Sequence, residues 1–381
     1  MTSDVKPASS AELLIASSTS ATQNRPFLTI GIPHYKHRRY LEIVLASLFA
    51  QSYKDFEIVV SDDCSPDDSN QVIPEILKQG DIPFRYYAQT ANLGYDGNVR
   101  FCLRAARGRY VFLLGNDDAL AEPATLDQIV SALQELGLPD VAFTNYEDWK
   151  TGTAVRNALS TSLLGSGPEV AAANFRSFSF VSGAIYNQEA ALKYETDRWD
   201  QSIYYQIYIA CRIVAAGGKL AAIDNSAIRK DIRVGDHGVP NYASKWANEP
   251  WSFQSRHTGL DSVIRVTADA VMPAVAEGER SAMLRRIVSK ILMSTYPYWL
   301  FEYRRVSNWS FSAGIARGLW PGTLLSPYKL TIVDRLYLWM LYLAATFVGL
   351  FTPIRVLSGL HPKVARIIRR QQQATPATVQ S

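Results

Sequence analysis

The chain has 381 residues, 48% of them hydrophobic and 19% charged, with a formal net charge of +4. Those values describe a globular protein of one large domain or two ordinary ones and exclude a disordered polymer. The charge is uneven: residues 281–381 hold 13 Lys/Arg and two acids, a net of +11, and residues 1–280 carry −7. An acidic front speaks against a nucleic-acid partner, whereas a basic, aromatic tail suits an anionic membrane surface.

In chain order, residues 1–24 are rich in Ser, Ala and Thr and lack the charged head and long apolar centre of a secretory signal. A disordered leader is expected there. From Phe27 onward, short apolar runs alternate with amphipathic helical stretches. "FLTIGI" (27–32), "FEIVVS" (56–61), "FRYYA" (84–88), "RYVFLL" (109–114) and "DVAFTN" (140–145) are predicted strands, separated by helices near 38–51, 67–79, 96–107 and after Pro123. Alternation at these lengths implies a largely parallel sheet with right-handed crossovers. Beyond Tyr146 the pattern loosens. "FSFVSGAIY" (178–186) is expected as a strand lining the same edge, followed by a helix over 202–216 stopped by Gly217-Gly218 and a strand at "KLAAI" (219–223). Cys64, Cys102 and Cys211 show neither zinc spacing nor a disulfide framework, which fits a reducing compartment.

Polar clusters fall where this architecture collects ligands, outside the carboxyl ends of the strands. The first strand ends in "PHYK" (33–36), the second in "DDCSPDD" (62–68) and the fourth in "NDD" (116–118). Adjacent hard oxygen ligands suit Mg²⁺ or Mn²⁺, ions that take their remaining ligands from water and a substrate's phosphates. A nucleotide diphosphate is the natural occupant, with Asp62-Asp63 facing base or ribose and Tyr35 offering a stacking face. The alternatives are that "NDD" is a turn or helix cap, that Tyr35 is a packed loop aromatic and that His34 is an exposed bystander. Asp67-Asp68 before Ser69 is explained by helix capping.

These residues also carry a resemblance. The strand "IGIPHYK", the run "LASLFAQSYKDFEIVVSDDCSPDD" and the run "NLGYDGNVRFCLRAARGRYVFLLGNDD" resemble, in order and spacing, the nucleotide-binding half of the family 2 glycosyltransferases. The resemblance implies the GT-A fold, an α/β Rossmann-like sheet with flanking helices, over 25–247. It implies that Asp63, with Asp62 beside it, meets the nucleotide base, and that Pro33 and Tyr35 wall the base pocket. Asn92 and Asp117 are further nucleotide-sugar contacts, and Asp118 is the metal contact for Mg²⁺ or Mn²⁺. Asn116 stands at the first position of the family's Asp-X-Asp motif, so one of its two carboxylates is missing. An inverting transfer needs a carboxylate to take the acceptor's proton. "DRWDQSIYYQ" (197–206) lies where the family keeps that group, without the usual Glu-Asp pair. Asp200 is the expected base and Asp197 the second choice, with capping of the following helix as the alternative role. His237, in "GDHG", is a candidate for the diphosphate or a surface residue. The phrasing "LLGNDD" and "DQSIYYQ" is most similar to the branch that adds sugars to lipid-linked surface polysaccharides such as O-antigen.

From 248 the chain is expected to be helical and increasingly basic to about 360, with a basic, disordered tail at 361–381. "LYLWMLYLAATFVGLFTPI" (336–354) holds 19 residues without a formal charge, roughly 28 Å as a helix, close to the thickness of a bilayer's hydrocarbon core. Arg335 and Arg355 flank it. Charges at both ends fit a re-entrant or in-plane helix better than a single pass, a core helix being the alternative. The expectation is a transferase moving one sugar from a nucleotide-diphosphate donor to a lipid-linked oligosaccharide at the cytoplasmic face of the plasma membrane. A catalytically silent scaffold of the same fold in a membrane-associated assembly is the competing expectation.

Overall fold

The computed structural model describes residues 11–17, 25–235, 237–238, 259–306 and 309–356. The expected basic tail at 361–381 and the expected domain boundary at 247/248 lie outside them.

The centre of the molecule is a sheet whose first strands are apolar on both faces. β1 (Ala11–Ala16), β2 (Leu28–His34), β3 (Phe56–Asp62), β4 (Phe84–Gln89) and β5 (Tyr110–Leu113) are followed by β6 (Ala119–Leu120) and β7 (Val141–Asp148). Then come β8 (Ala154–Val155), β9 (Ser162–Gly165), β10 (Ala184–Asn187) and β11 (Leu220–Lys230). The order is β1-β4-β3-β2-β5-β10-β7-β11-β6, with β8 beside β7 and β9 beside β11. Every residue of β2, β3 and β5 is buried, as expected of parallel strands covered on both faces. β4, β3, β2 and β5 run parallel in unbroken register, Leu28 opposite both Phe56 and Tyr110.

Alternate side chains go to opposite layers. Leu28, Ile30, Ile32, Tyr110, Phe112 and Leu114 join one core beneath α1 (Arg38–Phe49), α2 (Ser69–Leu77) and α4 (Thr125–Glu135). In α1 the buried set Leu41, Val44, Leu45 and Leu48 is a helical stripe. Val111 and Leu113 point the other way, towards α3 (Gly94–Ala105), α5 (Pro168–Asn174) and α7 (Tyr205–Ala215); the short α6 (Gln188–Lys193) follows β10. This second core continues into the C-terminal helices α8 (Leu260–Val271), α9 (Arg280–Lys290), α10 (Tyr296–Val306), α11 (Trp309–Gly318), α12 (Pro321–Leu324) and α13 (Ile332–Phe351). The helical region is therefore built onto the sheet layer through a shared core.

Three expectations change. The leader is not wholly without structure: Ala11–Ala16 pairs antiparallel with β4, Ala11 opposite Gln89 and Ala16 opposite Arg85. β4 would otherwise end the sheet with a row of unpaired backbone groups, and the β-forming Leu13, Leu14 and Ile15 cover it. The predicted strand at 178–186 begins as a 3₁₀ turn, Phe175–Phe178, and only Ala184–Asn187 is extended. That strand inserts antiparallel between β5 and β7, so the sheet is mixed. The strand predicted at 219–223 runs on to Lys230.

Candidate active site

The carboxyl ends of β2, β3 and β5 meet at one edge, and the residues there are held by one another. Asp62 is fully buried; its carboxylate accepts from the Tyr86 hydroxyl at 2.5 Å and from the Ser65 amide at 2.9 Å. Asp63, 2% exposed, accepts from the Leu93 amide at 2.6 Å and the Gly94 amide at 3.0 Å, the first residues of α3. Asn92 completes that turn, its amide donating to the Asp63 carbonyl at 3.0 Å and its own oxygen accepting from Gly94 N at 3.1 Å. The two aspartates expected to face a base are thus turned inward. Their neutral donors compensate the buried charge and fix the turn into α3.

His34 is no bystander. Fully buried, it accepts from the Asn116 amide at Nδ1 (3.0 Å), and its Nε2 lies 2.9 Å from the Ser69 hydroxyl. Ser69 in turn donates to Asp67. This chain is self-consistent with the neutral ring carrying its proton on Nε2, and burial pushes the His34 pKa down to about 4. The Asn116 amide also donates to the Lys36 carbonyl at 3.1 Å, and Lys36 N donates to Ser65 Oγ at 2.9 Å. The clusters at 62–63, 67–69 and 116–118 are therefore joined through the loop after β2. Pro33 is buried inside β2; Tyr35 is 40% exposed, with the Lys36 ammonium 4.8 Å from its ring centre. Asp67 accepts from the Ser69 amide at 3.2 Å where α2 begins, while Asp68, the N-cap, makes no side-chain capping bond and pairs with Arg38.

Asp117 and Asp118 are placed differently. Asp118, 2% exposed, accepts from Ser182 Oγ at 2.5 Å and from the Asp231 amide at 2.9 Å. Gly115 N donates to the same Ser182 oxygen at 2.8 Å. A β-carbon on Gly115 would stand 3.0 Å from Asp118 Oδ2 and 3.1 Å from Asp117 Oδ1, so the two carboxylates converge over bare backbone. Burial, reinforced by the charge of Asp117, pushes Asp118 up to about 8; burial and the charge of Asp231 also raise Asp117. Lys230 pairs with Asp231. Ser182, Lys230 and Asp231 were not singled out from sequence. The available signal was the Lys-Asp step closing β11, hidden because the strand was ended seven residues early.

Crowded, desolvated carboxylates whose ionisation is opposed make a site that a hard cation would relieve. Among the described residues no group of three His, Cys, Asp or Glu is spaced to hold a metal. Two carboxylates alone would suit an ion that takes its other ligands from phosphate and water.

The expected base, Asp200, lies against α3. Arg100 donates to both its oxygens, Nε at 3.3 Å and Nη2 at 2.7 Å, and also pairs with Glu195 at 3.3 Å. Asp200 does not cap α7. Asp96 does so from α3, accepting from the Ile203 amide at 2.7 Å and the Tyr205 amide at 2.9 Å; burial raises Asp96 to about 6. Of the seven non-glycine residues at positive φ among those described, Lys36, His37, Cys64 and Asp231 lie in the loops of this edge and Gln201 and Ile203 beside Asp200. Such backbone is costly, above all for β-branched Ile203, and its clustering marks the segments that the surrounding hydrogen bonds hold in place. His237 falls in the short ribbon after β11, opposite Val234.

The part of the chain that builds this edge is similar to known proteins. Residues 29–183 match the family described as glycosyl transferase family 2. A GalNAc(5)-diNAcBac-PP-undecaprenol beta-1,3-glucosyltransferase of Campylobacter jejuni is 34% identical over 99 residues, 26% of this chain and 32% of that protein. Abequosyltransferase RfbV of Salmonella typhimurium is 34% identical over 97 residues, 25% and 29% of the two chains. The chain thus spans about a third of the length of these curated relatives. Among solved structures, S. aureus TarS 1–349 superposes with a TM-score of 0.51 at 16% identity, covering 91% of this chain and 88% of its own. Its complex with UDP-GlcNAc gives 0.52 at 16% identity, covering 84% and 90%. At that identity the likeness shows the fold, which is the GT-A type implied by the sequence resemblance.

Proposed function

We propose, from the premise that residues 29–183 are a glycosyl transferase family 2 domain, that the protein transfers a single sugar from a nucleotide-diphosphate donor to a lipid-linked oligosaccharide in cell-surface polysaccharide synthesis. The observation that carries the proposal is the convergence of Asp117 and Asp118 over Gly115 at the edge where β2, β3 and β5 end. Support for the donor class comes from TarS, a protein of this fold solved with UDP-GlcNAc. Support for the acceptor class comes from the undecaprenol-linked glycan in the name of the Campylobacter relative. With an acceptor of that kind, the reaction would run at the cytoplasmic face of the plasma membrane.

Tyr35, on the open side of the edge, stacks on the base. Asp63 acts on the pocket by ordering Asn92 and the start of α3. Asp118 and Asp117 would hold Mg²⁺ or Mn²⁺, which would offset negative charge on the departing diphosphate. Asp200 takes the proton of the acceptor hydroxyl as its oxygen bonds to the anomeric carbon. The bond from that carbon to the phosphate oxygen breaks with its electron pair leaving on the nucleoside diphosphate, and the configuration inverts. Arg100 orients Asp200.

One observation favours the competing reading of a silent scaffold: both oxygens of Asp200 are engaged by Arg100. A thermal-shift panel of UDP-, GDP-, CDP- and dTDP-sugars with and without Mn²⁺ separates the two. A transferase is stabilised by one donor and more so with metal, since a ligand that binds only the folded state raises its stability. It also loses turnover but keeps donor binding in Asp200→Asn. A scaffold shows no metal-enhanced shift.

A further inference from the structure

The helix α13 is apolar on two opposite faces, and only one of them is covered. Asp334, Leu338, Tyr342, Ala345 and Gly349 are buried, a stripe at helical spacing. Gly349 lets Leu300 approach until a β-carbon there would stand 2.6 Å from it, Tyr342 donates to the Ala316 carbonyl at 2.8 Å, and the Tyr296 and Tyr342 rings stack at 5.9 Å. Both ends are tied down as well. At the start, the Thr331 hydroxyl caps the Asp334 amide at 3.1 Å, and the Asp334 carboxylate takes Ser281 Oγ at 2.5 Å and Arg285 at 3.0 Å. At the finish, Arg304 donates to the Gly349 and Thr352 carbonyls at 2.7 and 2.9 Å. The opposite stripe is bare: Leu336 is 58% exposed, Met340 63%, Leu343 55%, Phe347 67% and Phe351 59%. Trp309, half exposed, extends it from α11, its ring 6.2 Å from Phe351.

The helix has 20 residues, enough to cross a bilayer by length. A crossing helix would have to leave its packed stripe and both caps. We infer that α13 instead seats this bare stripe side-on in one leaflet of an anionic bilayer, the domain riding on the surface. Charge selects that occupant. From 296 to 356 the sequence carries six basic residues (Arg304, Arg305, Arg317, Lys329, Arg335 and Arg355) and two acids, Glu302 and Asp334, and Asp334 is turned inward at 6% exposure. An apolar stripe on a segment of net positive charge matches acyl chains beneath anionic headgroups, whereas a second copy would bring two positively charged segments together. The inference stands apart from the transferase proposal, because membrane binding requires neither donor nor acceptor.

Co-sedimentation of the full-length chain with vesicles of phosphatidylcholine, with and without phosphatidylglycerol, tests it. The protein partitions onto the anionic vesicles and at least about tenfold less onto the neutral ones. The double variant Leu343→Gln, Phe347→Gln lowers partitioning by at least about tenfold while its unfolding temperature stays at that of the parent. Leu192→Gln, an equally apolar exposed residue on α6, changes nothing. Absence of vesicle binding overturns the inference, as does a double variant that binds as well as the parent. Dimerisation without vesicles that the double variant abolishes, with vesicle binding unaltered, overturns it in favour of a second copy.

Discussion

Two aspartate pairs end two strands of one sheet edge, and the molecule uses them in opposite ways. Asp62 and Asp63 each meet neutral donors, Tyr86 and Ser65 for one, Leu93 and Gly94 for the other. Asp118 also accepts from Ser182 and the Asp231 amide, but it faces the charge of Asp117, and Asp117 faces that of Asp231. The first pair is architecture: its charge is answered by hydrogen bonds that hold α3 and the strand ends together. In the second, burial and neighbouring carboxylates oppose ionisation despite the bonds from Ser182 and the Asp231 amide, a strain that an added cation would relieve. Identical dipeptides at equivalent positions thus differ in what surrounds them.

The sharpest way to break this contrast is to neutralise one member of each pair. Asp118→Asn is expected to lower turnover of the nucleotide sugar by about 100-fold or more, with thermal stability unchanged or raised, because an opposed buried charge is removed. A loss of stability matching the loss of turnover would move Asp118 into the architectural class. Next in size is the acid response of the edge, which depends on His34. Its pKa in the folded protein is depressed from 6.5 to about 4, so the unfolded chain takes up the proton first. This group's contribution is complete above pH 6.5 and is lost as pH falls towards 4, on the order of 2 kcal/mol by pH 5. Denaturant unfolding at pH 7.5 and pH 5 measures it, and His34→Gln flattens the dependence in that window.

Asp63→Ala leaves the Leu93 and Gly94 amides without their acceptor and is expected to destabilise the fold by about 2 kcal/mol. Weaker donor binding follows only through the disordered start of α3; unchanged stability with lost donor binding would make Asp63 a direct contact. The smallest effect belongs to Tyr35→Ala. An exposed ring leaves stability within about 0.5 kcal/mol, while donor affinity falls by roughly tenfold as one stacking contact is lost, read by titration of the nucleoside diphosphate.

Much of the edge was legible because strand ends and polar clusters are local in sequence. The apolar runs 27–32, 56–61 and 109–114 are buried on both faces and could hardly be other than central strands, which sets "PHYK", "DDCSPDD" and "NDD" side by side. His34 was misjudged because its partners Asn116 and Ser69 come from other strands' loops, and nothing in "PHYK" announces them. Ser182 and Asp231 were overlooked for a similar reason: each enters on a strand, β10 or β11, whose place beside β5 and β7 depends on pairing over long separations. The alternative role for Asp200, capping the helix after it, belongs to Asp96, since the carboxylate nearest a helix start in sequence need not be nearest in space.

What the sequence by itself determined is the set of elements, the edge where ligands gather and the presence of an uncharged 19-residue stretch, because each follows from periodicity and composition within a short window. Only the tertiary structure decided which acids are satisfied and which are left in mutual repulsion, and which stripe of α13 is covered. Those outcomes depend on donors and packing surfaces brought from tens or hundreds of residues away, and a buried charge or apolar face is answered by whatever lies against it in space.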